Sequence, residues 1–376
     1  MSSILLIFVN MSEIRLYKVA GCVFSVTLDT PWSFMQYTSQ VQERITSARQ
    51  GKVVPVKPVR AGDEIPHRTY VQSREELPSP RIPGSMDFSQ YEPFAYDGPQ
   101  KPEFNLKVTA PSDTRIPEDA TLAIKVDEFL PAYDIYEKDG DLLFEFFPER
   151  GVSAGILTVS PKTGKGIYTP SPRMKSYGTL SQVNIATMIM FTIATAPQGT
   201  LLMHSSVVRK NGYANLFLGK SGTGKSTHAR LWIDNVEGTD LMNDDNPALR
   251  VITDESQLDG CRYDKELAGK TTSKEGIVYV FGTPWSGKTP CYRNVAAPVG
   301  AIVRLQQAPR NSISRISGLD AYASVISSAS MLRWKSGFMD MVTPTAEKIA
   351  MTVRCFSLDC LPDPDAAHLC SKAISK

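Results

Sequence analysis

Apolar and polar side chains alternate along residues 15–28, a period of two that predicts one or two β-strands. Residues 132–147 read as a strand, then Asp139-Gly140, then a second strand. Asp-Gly suits the left-handed positions of a tight hairpin turn. A further hairpin is predicted over 156–169, turning at Thr163-Gly164. From Pro78 to Pro102 there are six prolines in 25 residues, too many for an interior strand or helix, so this stretch reads as an extended excursion over the surface. The period then changes. Residues 181–195 are mostly apolar and predict a buried helix stopped by Pro197 and Gly199, its Met and Phe side chains packing in the core. A strand over 200–208, an Asn211-Gly212 turn and a strand over 213–219 follow. After a helix over 227–236, strands are predicted at 277–281 and 299–305. Helices follow at 318–335 and 344–354, then a strand at 355–361 and a closing helix at 363–374. The expected class is α/β (α+β): a β-rich region over 1–172, irregular from about 30 to 102, and a second domain over 173–376.

Composition narrows the function. The 376 residues carry 41 basic and 39 acidic side chains, net +2, which leaves no cationic excess to neutralise a nucleic-acid backbone. The six cysteines are scattered with no C-x-x-C, and no two of the four histidines share a metal-ligand spacing. Neither a disulfide framework nor a structural zinc site is expected. The apolar run 4–9 has six residues, shorter than the roughly 7–15 of a secretory segment or the about 20 of a membrane span. A soluble cytoplasmic protein is expected, with Met1 or Met11 as its start.

One motif carries chemistry. Gly219-Lys220-Ser221-Gly222-Thr223-Gly224-Lys225-Ser226 matches G-x-x-x-x-G-K-[ST] in full, lies between a predicted strand and a predicted helix, and runs on into Thr227. Glycines let successive backbone N–H groups turn toward a phosphate chain, and the helix N-terminus adds its positive end. Lys225 is expected to reach the β- and γ-phosphates of ATP, and Ser226 to ligate Mg2+ through its hydroxyl. Eighteen residues beyond Ser226 stand Asp244 and Asp245, which suit a metal ligand and a proton acceptor. If Asn211-Gly212 is a two-residue turn, Lys210 faces Tyr213, and counting back sets His204 opposite Gly219. A histidine there can bind phosphate or shuttle a proton. The irregular segment 282–294 is expected to lie over a site, where Lys288 and Arg293 can lend charge to a transferring phosphoryl group or sit as surface charges. Trp285 is expected to pack beneath it. Lys162, Lys165, Arg173 and Lys175 read as solvated hairpin surface.

The order of the His204 strand, the Asn-Gly hairpin, the glycine loop and the nearby Asp244-Asp245 pair resembles the HPr kinase/phosphorylase family. That family has a phosphoenolpyruvate-carboxykinase-like P-loop fold, and the resemblance spans roughly residues 177–250. It implies an ATP- and Mg2+-dependent kinase, with His204 near the transferred phosphate. The first aspartate, Asp244, would be the base, and Asp245 a metal ligand. Relatives of this fold form homo-oligomers. Residues 276–294 replace the family's signature, and the first 150 residues do not suggest its regulatory domain, so HPr is not implied as the substrate. The acceptor is expected to be a hydroxyl of a protein serine or a small molecule. Two other readings are a non-catalytic ATP-binding regulatory module and a carboxykinase-like enzyme. Against the second, the chain is short and shows no carboxylate-binding arginine set before the loop.

Overall fold

The computed structural model describes residues 13–29, 88–127, 132–173, 176–271, 274–287, 289–330 and 332–375. The expectations for residues 30–87, the alternative starts, Lys175 and Lys288 lie outside the described residues.

Two open mixed sheets and a set of helices make an α+β protein. The first sheet is built from β1 (Glu13–Val19), β2 (Cys22–Leu28), β3 (Phe104–Val108), β4 (Thr121–Val126), β5 (Ala132–Lys138), β6 (Asp141–Phe147), β7 (Gly155–Ser160) and β8 (Lys165–Pro170). Their order is β1-β2-β3-β8-β7-β6-β5-β4. The alternating stretch 15–28 is thus two strands. They are joined at Ala20-Gly21, both left-handed (φ 49° and 84°), and the Asp139-Gly140 hairpin turns the same way (φ 53° and 87°).

After α1 (Ser176–Thr195) come β9 (Thr200–Met203), β10 (Ser205–Lys210), β11 (Tyr213–Leu218), α2 (Lys225–Asn235), β12 (Thr239–Asp245), β13 (Ala248–Ile252), α3 (Lys265–Thr271) and β14 (Ile277–Phe281). The chain closes with β15 (Ala296–Gln307), β16 (Ser312–Ile316), α4 (Gly318–Ser328), β17 (Ala329–Ser330), α5 (Ser336–Thr352), β18 (Cys355–Cys360) and α6 (Pro364–Ile374). The second sheet has ten strands in the order β12-β10-β11-β15-β14-β13-β9-β17, with β18 beside β15 and β16 beside β18. Among the described residues no helix is long and apolar enough to cross a membrane.

Three expectations are corrected here. The strand expected over 200–208 is interrupted at His204, because β9 pairs with β13 whereas β10 pairs with β11 and β12. The helix expected over 318–335 ends at Ser328, and the next starts at Ser336, not at 344. Pro344 therefore lies inside a helix. The buried face Phe338, Val342, Thr345, Ala346 and Ile349 continues across it at helical spacing, and that burial outweighs the proline's missing N–H. At the described end of the proline-rich stretch, residues 95–102 run over the surface as expected, none of them buried, but the turn before them does not. A 3-10 turn at Phe88–Phe94 buries Tyr91 and Phe94 in the core.

The buried residues of the first sheet, α1, the β9-β13-β14 strands and α4–α5 form one continuous apolar cluster. A second cluster lies between α2, α6 and the β10-β11-β15-β18 strands. The expectation for Trp285 is met: it is buried, its ring lies 5.0 Å from Phe191 of α1, and its Nε1 donates to the Tyr91 hydroxyl at 3.1 Å.

Candidate functional site

The Asn211-Gly212 turn is left-handed at both residues (φ 51° and 80°) and fixes the hairpin register from Lys210↔Tyr213 to Ser205↔Leu218. The ladder stops one pair short of the expected His204–Gly219 pairing, which is not formed as a strand pair. Here the chain crosses from one part of the sheet to the other. The crossing recurs between β12 and β13, and the two are tied by the Met203 N–H donating to the Pro247 carbonyl at 3.0 Å. His204 and Asp245 thus sit side by side at strand ends, with His204 Nε2 3.4 Å from Asp245 Oδ1. The His204 N–H is anchored on the Ser328 carbonyl at the end of α4 (2.8 Å).

The segment Gly219-Lys220-Ser221-Gly222-Thr223-Gly224 leaves β11 and enters α2, the strand–loop–helix order the motif requires. Gly222 and Gly224 hold φ of 80° and 104°, conformations in which a side chain is strained, and the N–H of His228 already bonds the Gly224 carbonyl. Thr223 closes the turn on the Lys220 carbonyl through both its N–H (3.1 Å) and its hydroxyl (2.7 Å). Gln307 of β15 donates to the Gly222 carbonyl at 3.2 Å. Lys225 is buried and folds back under the loop, its Nζ donating to the carbonyls of Gly219 (3.0 Å) and Lys220 (3.3 Å). Ser226 and Thr227, in the first turn of α2, are exposed.

The electrostatics couple these groups. Burial, then the neighbouring Lys225 charge, lower the His204 imidazole to about 4, so it is neutral at pH 7. Burial, then the Asp244 charge, raise the Asp245 carboxyl to about 6, against the pull of Lys225. Burial lowers the Lys225 ammonium, opposed by Asp245 and Asp244 in that order.

Adjacent strand residues face opposite sides of a sheet, and the two aspartates separate accordingly. The Asp245 side chain is 37% exposed and stands beside His204. Asp244 is 2% exposed, and both its carboxylate oxygens are engaged. Ser206 Oγ donates to Oδ1 at 2.5 Å and the Thr289 N–H to Oδ2 at 3.3 Å. The structure therefore brings together His204, the glycine loop, Lys225 and Asp245, and sets Asp244 beneath them.

Arg293 is not brought to this group. Its Nη1 bonds Asp240 Oδ2 and the Leu241 carbonyl, each at 2.6 Å, and Asp240 is paired from its other side by Arg209. Asp240 faces Arg209 on β10, whereas Asp245 faces Ser205, at opposite ends of β12. Sequence reasoning missed Ser206, Ser286 and Gln307. For Ser206 the missing fact was the β10–β12 pairing, which sets it opposite Asp244.

An Mg2+–ATP complex makes few demands on protein ligands, since Mg2+ is usually held by one or two protein groups, substrate phosphates and water. Ser226 and Asp245 are accessible donors of the right kind, and among the described residues no cluster of three or more His, Cys, Asp or Glu competes as a metal cage. The carbonyls to which Lys225 now donates are neutral acceptors, in whose place a phosphate oxygen would offer a charged one. No protein-family model matches this chain, and no curated protein matches it in sequence.

Proposed function

We propose that this chain is an ATP- and Mg2+-dependent phosphotransferase of the HPr-kinase-like kind, moving the γ-phosphoryl group to a hydroxyl of a protein serine or a small molecule. The observation that carries the reading is the meeting of Lys225, His204 and Asp245 at the mouth of a glycine loop that opens a helix. The loop N–H groups and the start of α2 receive the phosphates, and Lys225 leaves the Gly219 and Lys220 carbonyls to bind them. Ser226 would hold the Mg2+, which would neutralise phosphate charge, and the Asp245 carboxylate would be left for the proton.

Catalysis then rests on Asp245 in place of Asp244, because Asp245 is the accessible carboxylate. Its oxygen takes the acceptor's hydroxyl proton. The acceptor oxygen bonds the γ-phosphorus as the bond to the bridging oxygen breaks, leaving ADP, a phosphorylated acceptor and a protonated Asp245. A carboxyl near 6 is mostly ionised at pH 7 yet basic enough to accept a proton. Neutral His204 steadies it from 3.4 Å without adding charge. All six cysteines are free thiols, in keeping with a cytoplasmic setting as part of the same proposal.

The test is incubation with γ-labelled ATP and Mg2+ in an extract of the source cells. Label on a protein or metabolite is expected with wild type and not with Asp245→Asn. Equal labelling by both proteins would remove Asp245 from the chemistry. ATP binding without any transfer would favour the regulatory ATP-binding module.

A further inference from the structure

The buried Ser206–Asp244 pair is not explained by the chemistry above, yet it is the most tightly organised polar group beside the mouth. Both residues are essentially inaccessible, at 1% and 2% exposure. They face each other across β10 and β12, and the Ser206 hydroxyl spends its proton on Asp244 Oδ1. Everything else that Asp244 offers goes to one segment. Oδ2 accepts from the Thr289 N–H (3.3 Å), its carbonyl accepts from the Gly287 N–H (2.5 Å), and its N–H donates to Ser286 Oγ (3.3 Å). Ser286 Oγ in turn donates to the Thr289 carbonyl at 2.8 Å. Ser286 also bridges Asp245 in antiparallel fashion.

The approach is close enough to exclude side chains. A Cβ on Gly287 would stand 2.7 Å from the Asp244 carbonyl oxygen and 3.2 Å from the Asp245 Cβ. The segment is therefore the wall against which Asp245 stands, and its other end is held by Thr283, whose hydroxyl donates to the Asn246 carbonyl at 2.7 Å.

We infer that Ser206 and Asp244 are positioning residues: a buried latch that fixes Ser286, Gly287 and Thr289 against the end of β12 and thereby sets the orientation of Asp245. The role rests on the phosphotransferase reading, whereas the latch itself does not. A carboxylate held by two fixed donors resists rotation. Loss of the Ser206 hydroxyl frees Asp244 to turn, loosens the Thr289 contact, and leaves Asp245 free to sample orientations that miss the acceptor.

The test compares full-length wild type, Ser206→Ala and Ser206→Thr by two measurements. The first is amide hydrogen exchange of Gly287 and Thr289. Tenfold or faster exchange in Ser206→Ala, with protection restored in Ser206→Thr, is expected, while β10 and β11 amides stay as protected as in wild type. Unchanged protection at 287 and 289 would overturn the latch, and so would a uniform loss over the whole sheet.

The second measurement is steady-state transfer. Ser206→Ala is expected to lose tenfold or more in kcat with KM for ATP within twofold, and Ser206→Thr to recover most of it. An unchanged kcat, or a fall matched by the unfolded fraction, would overturn the positioning role. If wild type transfers no phosphate while the exchange pattern is as expected, the phosphotransferase reading and the role assigned to Asp245 fall, and the latch stands.

Discussion

Replacement of Arg293 separates a structural arginine from a catalytic one. Its guanidinium is mostly enclosed, the side chain being 13% exposed, and it makes two 2.6 Å contacts, to Asp240 and to the Leu241 carbonyl. A hydrogen bond to a charged partner contributes about 1.5–3 kcal/mol when buried. Asp240 is 40% exposed and keeps its two bonds from Arg209, so its share is discounted to about 1 kcal/mol. The Leu241 carbonyl, left without this donor, adds roughly another 1 kcal/mol. Arg293→Ala should therefore cost about 2 kcal/mol, a fall of several degrees in thermal midpoint. Affinity for ATP and kcat should stay within about twofold.

The sign of the pH effect is fixed. Burial would raise the Asp240 carboxyl, but hydrogen bonds from Arg209 and then Arg293 prevail and hold it below its ordinary value. The unfolded chain takes up this proton at a higher pH than the folded one. The pair's contribution is thus complete above the ordinary carboxyl value and is lost as pH falls through the folded one. The gap between wild type and variant should be full at pH 7 and narrower near pH 3 in scanning calorimetry. A hundredfold loss of kcat with an unchanged thermal midpoint would refute this reasoning and return Arg293 to the chemistry.

Other changes have definite outcomes. Trp232→Phe removes the indole N–H that His228 Nε2 accepts at 3.2 Å inside the second apolar cluster. It should cost about 1–3 kcal/mol in urea unfolding, and no loss would mean that this bond contributes nothing. Gly212→Ala places a side chain at φ 80° with its Cβ 2.8 Å from Leu267 Cδ2. A cost of roughly 1–2 kcal/mol is expected by the same assay, and a neutral result would contradict the left-handed turn. Pro344→Ala restores an N–H within the exposed face of α5 and should raise the thermal midpoint, with about 1 kcal/mol gained; a lowered midpoint would show the helix is shaped around the ring.

What the sequence made legible was local. Asn211-Gly212 dictated its own turn, and the turn dictated the register as far as Ser205↔Leu218, one pair short of His204 and Gly219. The glycine loop lay between strand and helix because its spacing and its neighbours' periodicity agreed. The non-local pairings were not legible. Nothing in residues 239–245 announces that β12 runs antiparallel beside β10, so Ser206 gave no sign of facing Asp244. One available signal went unused: two consecutive residues on a strand face opposite sides, so Asp244 and Asp245 were not to be expected equally accessible, although both charges act on Lys225. The break at His204 arises because β9 and β10 choose different partners, a choice made by the whole sheet and not by the apolar run itself.

The central claim is that residues 219–226 hold a nucleotide's phosphates, and isothermal titration of full-length protein with ATP in Mg2+ tests it most directly, wild type beside Lys225→Met. Saturable one-to-one binding by wild type is expected, weakened at least tenfold in a variant that remains folded. No binding by wild type, or equal binding by both proteins, would contradict it.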